Sequence, residues 1–221
     1  MHATISLTLI LSFLLLWPGA AQSASTSQIA DETRRTFTSS RRIINVWWLP
    51  VEYWMAAARE IGRDEQEIER TRQAFGGYLM LAVVDAEIRP DGSLDALSTA
   101  EIVKRVDIRV NDKQEKVMHN VDPNLQQLAP ELTYILRTSL VTLGQGLRIL
   151  PLPNLKSDGQ QSLGSTGPGR MKVTYKTGVD QEVEFWWHGP LTSITGPKKC
   201  ETGERAEASW THCPWDGTPL Q

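Results

Sequence analysis

The spacing of apolar positions changes several times along the chain, and each change marks an element. Tyr78 to Val84 is apolar on both alternating faces, the mark of a strand covered on both sides or central in its sheet, and it continues to Ile88 before Pro90-Asp91-Gly92 turns it. Upstream, Ile43 to Leu49 is apolar and aromatic. Pro50 follows where a helix accepts proline, because the N–H it lacks would be unpaired in a first turn. Val51, Trp54, Met55 and Ala58 then recur at helical spacing, with Glu52 at the positive end of the dipole. Gly62 ends that helix, and Asp64 with Glu67 forms a capping box for a second, mostly polar helix anchored by Ile68 and Phe75.

Ser98 with Glu101 caps a short helix reaching Arg105. Val106, Ile108 and Val110 next alternate with polar residues, and Asn111-Asp112-Lys113 turns that strand back into Glu115 to His119. Pro130 opens the clearest helix, whose stripe is Leu132, Ile135, Leu136, Leu140 and Leu143, with Gly144 and Gly146 as the stop. Leu147 to Leu152 reads as an edge strand, since Pro151 and Pro153 exclude a central position. A mobile Gly/Ser-rich loop is expected over 154–169. A second hairpin follows, with Met171, Val173 and Tyr175 on one arm, Val183, Phe185 and Trp187 on the other, and a turn over Thr177-Gly178-Val179-Asp180. Helices and strands mix without a regular βαβ rhythm. The expected class is α+β, a mixed or mainly antiparallel sheet with packed helices, plus a small C-terminal tail.

The N-terminal pattern differs. Ile5 to Trp17 is a nearly unbroken apolar run that matches a signal-peptide core and falls short of the ~20 residues a membrane-spanning helix needs. Small residues at Ala20 to Ala24 supply a cleavage region, although no Lys or Arg precedes the run. The division expected is therefore a signal peptide over 1–23, a flexible lead-in segment over 24–42, an α+β domain over 43–196 and a tail over 197–221. Removing the leader leaves no transmembrane helix and places the protein in the periplasm or outside the cell.

Composition narrows the function. A formal net charge of -3 gives no electrostatic argument for nucleic acid. Arg34-Arg35 and Arg41-Arg42 form a local basic cluster, read as a solvated linker or, as the alternative, a contact for an anionic surface. No phosphate-binding glycine loop, zinc-protease signature or nucleophile elbow occurs. His119 with Asp122 lacks the third member of a triad. No catalytic residue and no cofactor are assigned.

The two cysteines lie in the tail. Cys200-Glu201-Thr202-Gly203 and Cys213-Pro214-Trp215-Asp216 resemble the knuckles of a zinc ribbon, each of which would be Cys-x-x-Cys. Gly203 ligates nothing and Asp216 offers only a carboxylate, so the ribbon is degenerate. An oxidising compartment places a Cys200–Cys213 disulfide first, a zinc site completed by His188 or His212 second, and free thiols last. Of the eight tryptophans, all but Trp17 lie beyond the apolar run. Trp47-Trp48 and Trp186-Trp187 are adjacent pairs, and alternation turns one ring of each outward unless something covers it. Trp47, Trp48, Trp54, Trp186 and Trp215 are the candidate ligand or partner surface. The competing reading packs them together as one aromatic layer.

Trp48-Leu49-Pro50-Val51-Glu52-Tyr53-Trp54, Trp187-His188-Gly189-Pro190-Leu191-Thr192-Ser193 and Trp210-Thr211-His212-Cys213-Pro214-Trp215 resemble a family of exported bacterial proteins with no known activity. The resemblance implies export and carries over no catalytic residue. Two classes of function remain: a non-catalytic binding or interaction protein of the cell envelope, with an envelope protein or small ligand as partner, and a hydrolase-like enzyme using Glu52 or Asp85 with His119 or His188. Convergence of Glu52, His119 and His188 in one pocket would favour the enzyme, and scatter would count against it.

Overall fold

The computed structural model describes residues 24–155, 159–178, 181–207 and 210–220. The expected signal peptide lies outside the described residues, as do Val179 and Asp180 of the expected hairpin turn. In chain order the elements are helix α1 (Thr26–Thr33), strands β1 (Arg34–Thr38) and β2 (Arg42–Leu49), helices α2 (Val51–Glu60) and α3 (Glu65–Phe75), strands β3 (Tyr78–Ile88) and β4 (Leu94–Ala96), and helix α4 (Thr99–Arg105). Strands β5 (Val106–Val110) and β6 (Lys113–Glu115), helix α5 (Pro123–Ser139), a 3-10 turn over Val141–Gly146 and strand β7 (Arg148–Pro153) follow. The chain closes with the hairpin β8 (Gly169–Gly178) and β9 (Gln181–Gly189), helix α6 (Thr192–Thr195), and a short hairpin of β10 (Lys198–Lys199) and β11 (Arg205–Ala206).

Besides the β10–β11 hairpin, the described strands form two larger antiparallel sheets. In the first, β1, β2, β3 and β4 lie in that order, and β7 joins the same flank of β3 as β4, end to end with it. The second runs β6-β5-β8-β9. Alternation along β2 and β3 makes the first sheet the middle of three layers. Ile44, Val46, Trp48, Leu79, Leu81 and Val83 face the second sheet through Ile108, Val173, Tyr175, Phe185 and Trp187. Trp47, Leu49, Met80, Ala82, Val84 and Ala86 face the helices through Ile29, Tyr53, Trp54, Phe75, Leu125 and Leu136. Each large apolar side chain sealed in this way contributes ~1.5–3 kcal/mol. The α+β class, the doubly covered β3 and the edge position of β7 stand as the sequence pattern implies.

The expected flexible lead-in over 24–42 is a correction, because α1 and β1 occupy most of it. Ser25 and Gln28 form a capping box, and Ile29 is buried. Long-range latches hold the helix. The indole N–H groups of Trp47 and Trp187 donate to Thr33 Oγ1 and Thr33 O at 3.1 and 2.6 Å, and the Glu32 carboxylate accepts from the N–H groups of Thr192 and Ser193. The arginines are used in packing as well: the Arg34 and Arg35 guanidinium groups lie 5.9 and 5.8 Å from the ring centres of Trp47 and Trp187.

Helix α5 is the second correction. It starts at Pro123, and Pro130 lies inside it. Asp122 Oδ1 accepts from Asn124 N at 2.8 Å, so the chain has a capped proline start seven residues upstream of Pro130. Pro130 sits on the exposed side of the helix, where the missing backbone bond leaves no buried carbonyl beside a packed face. The loop expected over 154–169 is pinned in its described part, since the buried Asn154 side chain pairs with both N and O of Leu163.

Candidate functional site

Three of the five candidate surface tryptophans are core residues. Trp47 and Trp48 point to opposite faces of the first sheet, as alternation requires, but both faces are covered. Trp54 is buried in the helical layer, stacked on Phe75 with ring centres 4.9 Å apart. All three are packed, but in two layers rather than in the one aromatic layer of the alternative reading: Trp48 between the sheets, Trp47 and Trp54 under the helices. Trp186 and Trp215 remain at the surface, 37% and 62% exposed.

Trp186 lies on the outer face of the second sheet, and its neighbour Trp187 is packed against the first. Register puts Lys172 of β8 opposite Trp186, and Arg170 opposite His188. The Lys172 ammonium sits 5.3 Å from the Trp186 ring centre, and the His188 ring lies parallel to Trp186 within 7°, centres 6.3 Å apart. Glu184 accepts from Lys172 Nζ at 3.0 Å and from the Trp186 indole N–H at 3.2 Å, and these two bonds hold its carboxyl below the usual carboxylate range. The result is an exposed aromatic strip with paired charges beside it. The strip ends at a cavity of about 420 Å³ lined by His188, Glu32 of α1, Arg35 of β1 and Glu207 of the tail. Burial pulls the Arg35 guanidinium below its ordinary value.

The tail is a separate small cluster around Cys200, Ala206 and Cys213, which are bridged Cys200–Cys213. Each cysteine opens a tight turn: Gly203 N donates to Cys200 O and Gly217 N to Cys213 O, both at 2.9 Å. Asp216 accepts from Thr218 N and Oγ1, which lowers its pKa and occupies it as a turn residue. Trp215 projects from this tail with Trp210 edge-on to it. Among the described residues, no three His, Cys, Asp or Glu side chains gather as a metal site.

The residues of the enzyme reading do not converge. Asp85 sits between the two sheets, where Arg42 donates Nε and Nη2 to its two oxygens at 2.7 and 2.5 Å and Tyr175 donates its hydroxyl at 2.5 Å. Burial, followed by that hydrogen bond, pushes the Tyr175 phenol far up. Tyr175 pairs with Val183, about 17 Å along β9 from His188 at 3.4 Å per residue. Asp85 and His188 line different cavities. Glu52 lies in the first turn of α2, at the other end of β2 from Ile44, the partner of Asp85. His119 follows β6 in the segment whose Met118 N donates to Pro151 O of β7.

Sequence reasoning missed Lys172, Arg170 and Glu184 as members of the strip. Their signal was present, because they occupy the positions of β8 and β9 that alternate with the buried residues. The Arg42–Asp85–Tyr175 group had no local signal, since its members are 43 and 90 positions apart.

Comparison with known proteins gives no match to a family model, to a curated protein or to a solved structure.

Proposed function

We propose that this chain is an exported, non-catalytic binding protein of the cell envelope, which engages a protein partner through the outer face of the β8–β9 hairpin. The carrying observation is Trp186, a large aromatic side chain left 37% exposed on a sheet whose other face is fully packed. Trp186 beside Arg170 is a pairing enriched at interface centres, and the Lys172–Glu184 pair suits the polar rim around it. Export is supported by the leader-like run Ile5 to Trp17 and by the paired cysteines. Among the described residues no helix is long and apolar enough to cross a membrane.

The test is site-specific photocrosslinking in intact cells. A photoreactive phenylalanine analogue at Glu182, on the outer face, is expected to give a discrete adduct that is absent when the probe stands at Lys104 of α4. Adding Trp186→Ala should abolish it. Equal adducts from both positions, or an adduct indifferent to Trp186, would defeat the proposal.

A further inference from the structure

On the opposite side of the molecule two adjoining cavities lie between α3 and α5 and share Arg70 and Leu128. The wider, about 630 Å³, has Tyr78, Met118, Leu128 and Leu155 in its lining. The narrower, about 180 Å³, is lined by Trp54, Ile61 and Ile135. Leu155 and Ile61 are among the few large apolar side chains left at the surface. The size and the apolar lining suit a small organic ligand.

Two residues lining the narrower cavity carry donors without acceptors among the described residues. Trp54 is 2% exposed, and its Nε1–H is buried without a partner among the described residues. A buried donor of this kind is a standing cost unless an acceptor reaches it. Arg70 has no hydrogen bond or ion pair among the described residues. The carboxylates nearby are engaged: Glu67 and Glu131 both bind Arg63, at 3.1 and 3.0 Å, and Asp122 of the wider cavity caps α5. An uncommitted guanidinium and an orphaned indole N–H over an apolar floor ask for one kind of occupant.

We infer that these two cavities together bind a small amphipathic carboxylate, whose oxygens accept from Arg70 and Trp54 Nε1 and whose hydrocarbon body lies along Leu128 toward Met118 and Leu155. Arg–carboxylate pairing supplies the charge-assisted bonds, and burial of the chain supplies the apolar part. The site is independent of the Trp186 face.

Calorimetric titration of the intact, disulfide-bonded protein tests it, with decanoate, decanol and inorganic phosphate as probes. Decanoate is expected to bind, decanol about tenfold or more weakly, and phosphate not at all. Arg70→Gln, an exposed position whose change leaves the fold in place, should weaken decanoate about tenfold and leave decanol unchanged. Trp54→Phe, checked for folding by its thermal midpoint, should weaken decanoate as well. No binding of decanoate, equal affinity for decanol, phosphate binding as tight as decanoate, or indifference to Arg70→Gln would each overturn the inference.

Discussion

Asp85 is 1% exposed and collects three hydrogen bonds from Arg42 and Tyr175, so removing its carboxylate strands a guanidinium and a phenol between two sheets. Asp85→Ala is expected to lower stability by about 3 kcal/mol, the low end for a broken buried pair, because part of Arg42 stays in water. Urea unfolding measures this, and a loss below 1 kcal/mol would mean that solvent satisfies Arg42 unaided. The aromatic residues add a pH dependence. Burial, reinforced by Glu60, pushes the Tyr53 phenol from 10.0 up to about 12. The folded chain keeps this proton after the unfolded chain has lost it, so the contribution is complete below pH 10 and disappears between pH 10 and about 12. Tyr175 is shifted in the same direction. Going from pH 9 to pH 11, Tyr53→Phe should lose about 1.4 kcal/mol less than the natural chain. Equal losses would place Tyr53 in water. None of this was readable beforehand, because the chain shows which tyrosines exist but not which carboxylate or packing layer each will meet.

Elements were more legible, and where the reading failed a specific rule was overridden. The capping boxes at Asp64 and Ser98 form as their spacing requires, since the cap needs only residues three apart. Helix α1 was missed although Ser25 and Gln28 carry that same local signal; what could not be read is the set of distant bonds that hold it in place, from Trp47, Trp187, Thr192 and Ser193. In α5 two prolines competed for the first helical position, and the one preceded by a capping aspartate took it. The stop of α5 carries strain: Val141 has φ 49° and is 78% exposed, a β-branched residue in the left-handed region with little packing in return. Val141→Gly is expected to raise stability by about 1 kcal/mol, seen as a higher thermal midpoint. A lower midpoint would show that the valine side chain contributes packing here. Gly144 in the same turn is the reverse case, because an added Cβ would lie 2.0 Å from Arg137 O. Gly144→Ala should be clearly destabilising by the same assay.

The three-layer arrangement and the separate tail belong to the whole molecule. The chain's alternation announced that β3 would be covered on both faces, but not what would cover it, so Trp47, Trp48 and Trp54 read as surface and proved to be core. The disulfide of the tail was legible because both cysteines lie within it. Its cluster is distinct from the two main cores. Replacing both Cys200 and Cys213 by serine should therefore cost ~3 kcal/mol locally, with hydrogen exchange accelerated over 198–220 and unchanged in β2 and β3. Loss of protection in the strands would show that the tail supports the main fold. The central claim, that the open face of the second sheet is the binding surface, meets its most direct test in co-sedimentation of the purified protein with isolated envelopes. The natural chain should be retained, and Trp186→Ala should be retained about tenfold less with an unchanged thermal midpoint. Retention of Trp186→Ala equal to that of the natural chain would contradict the account.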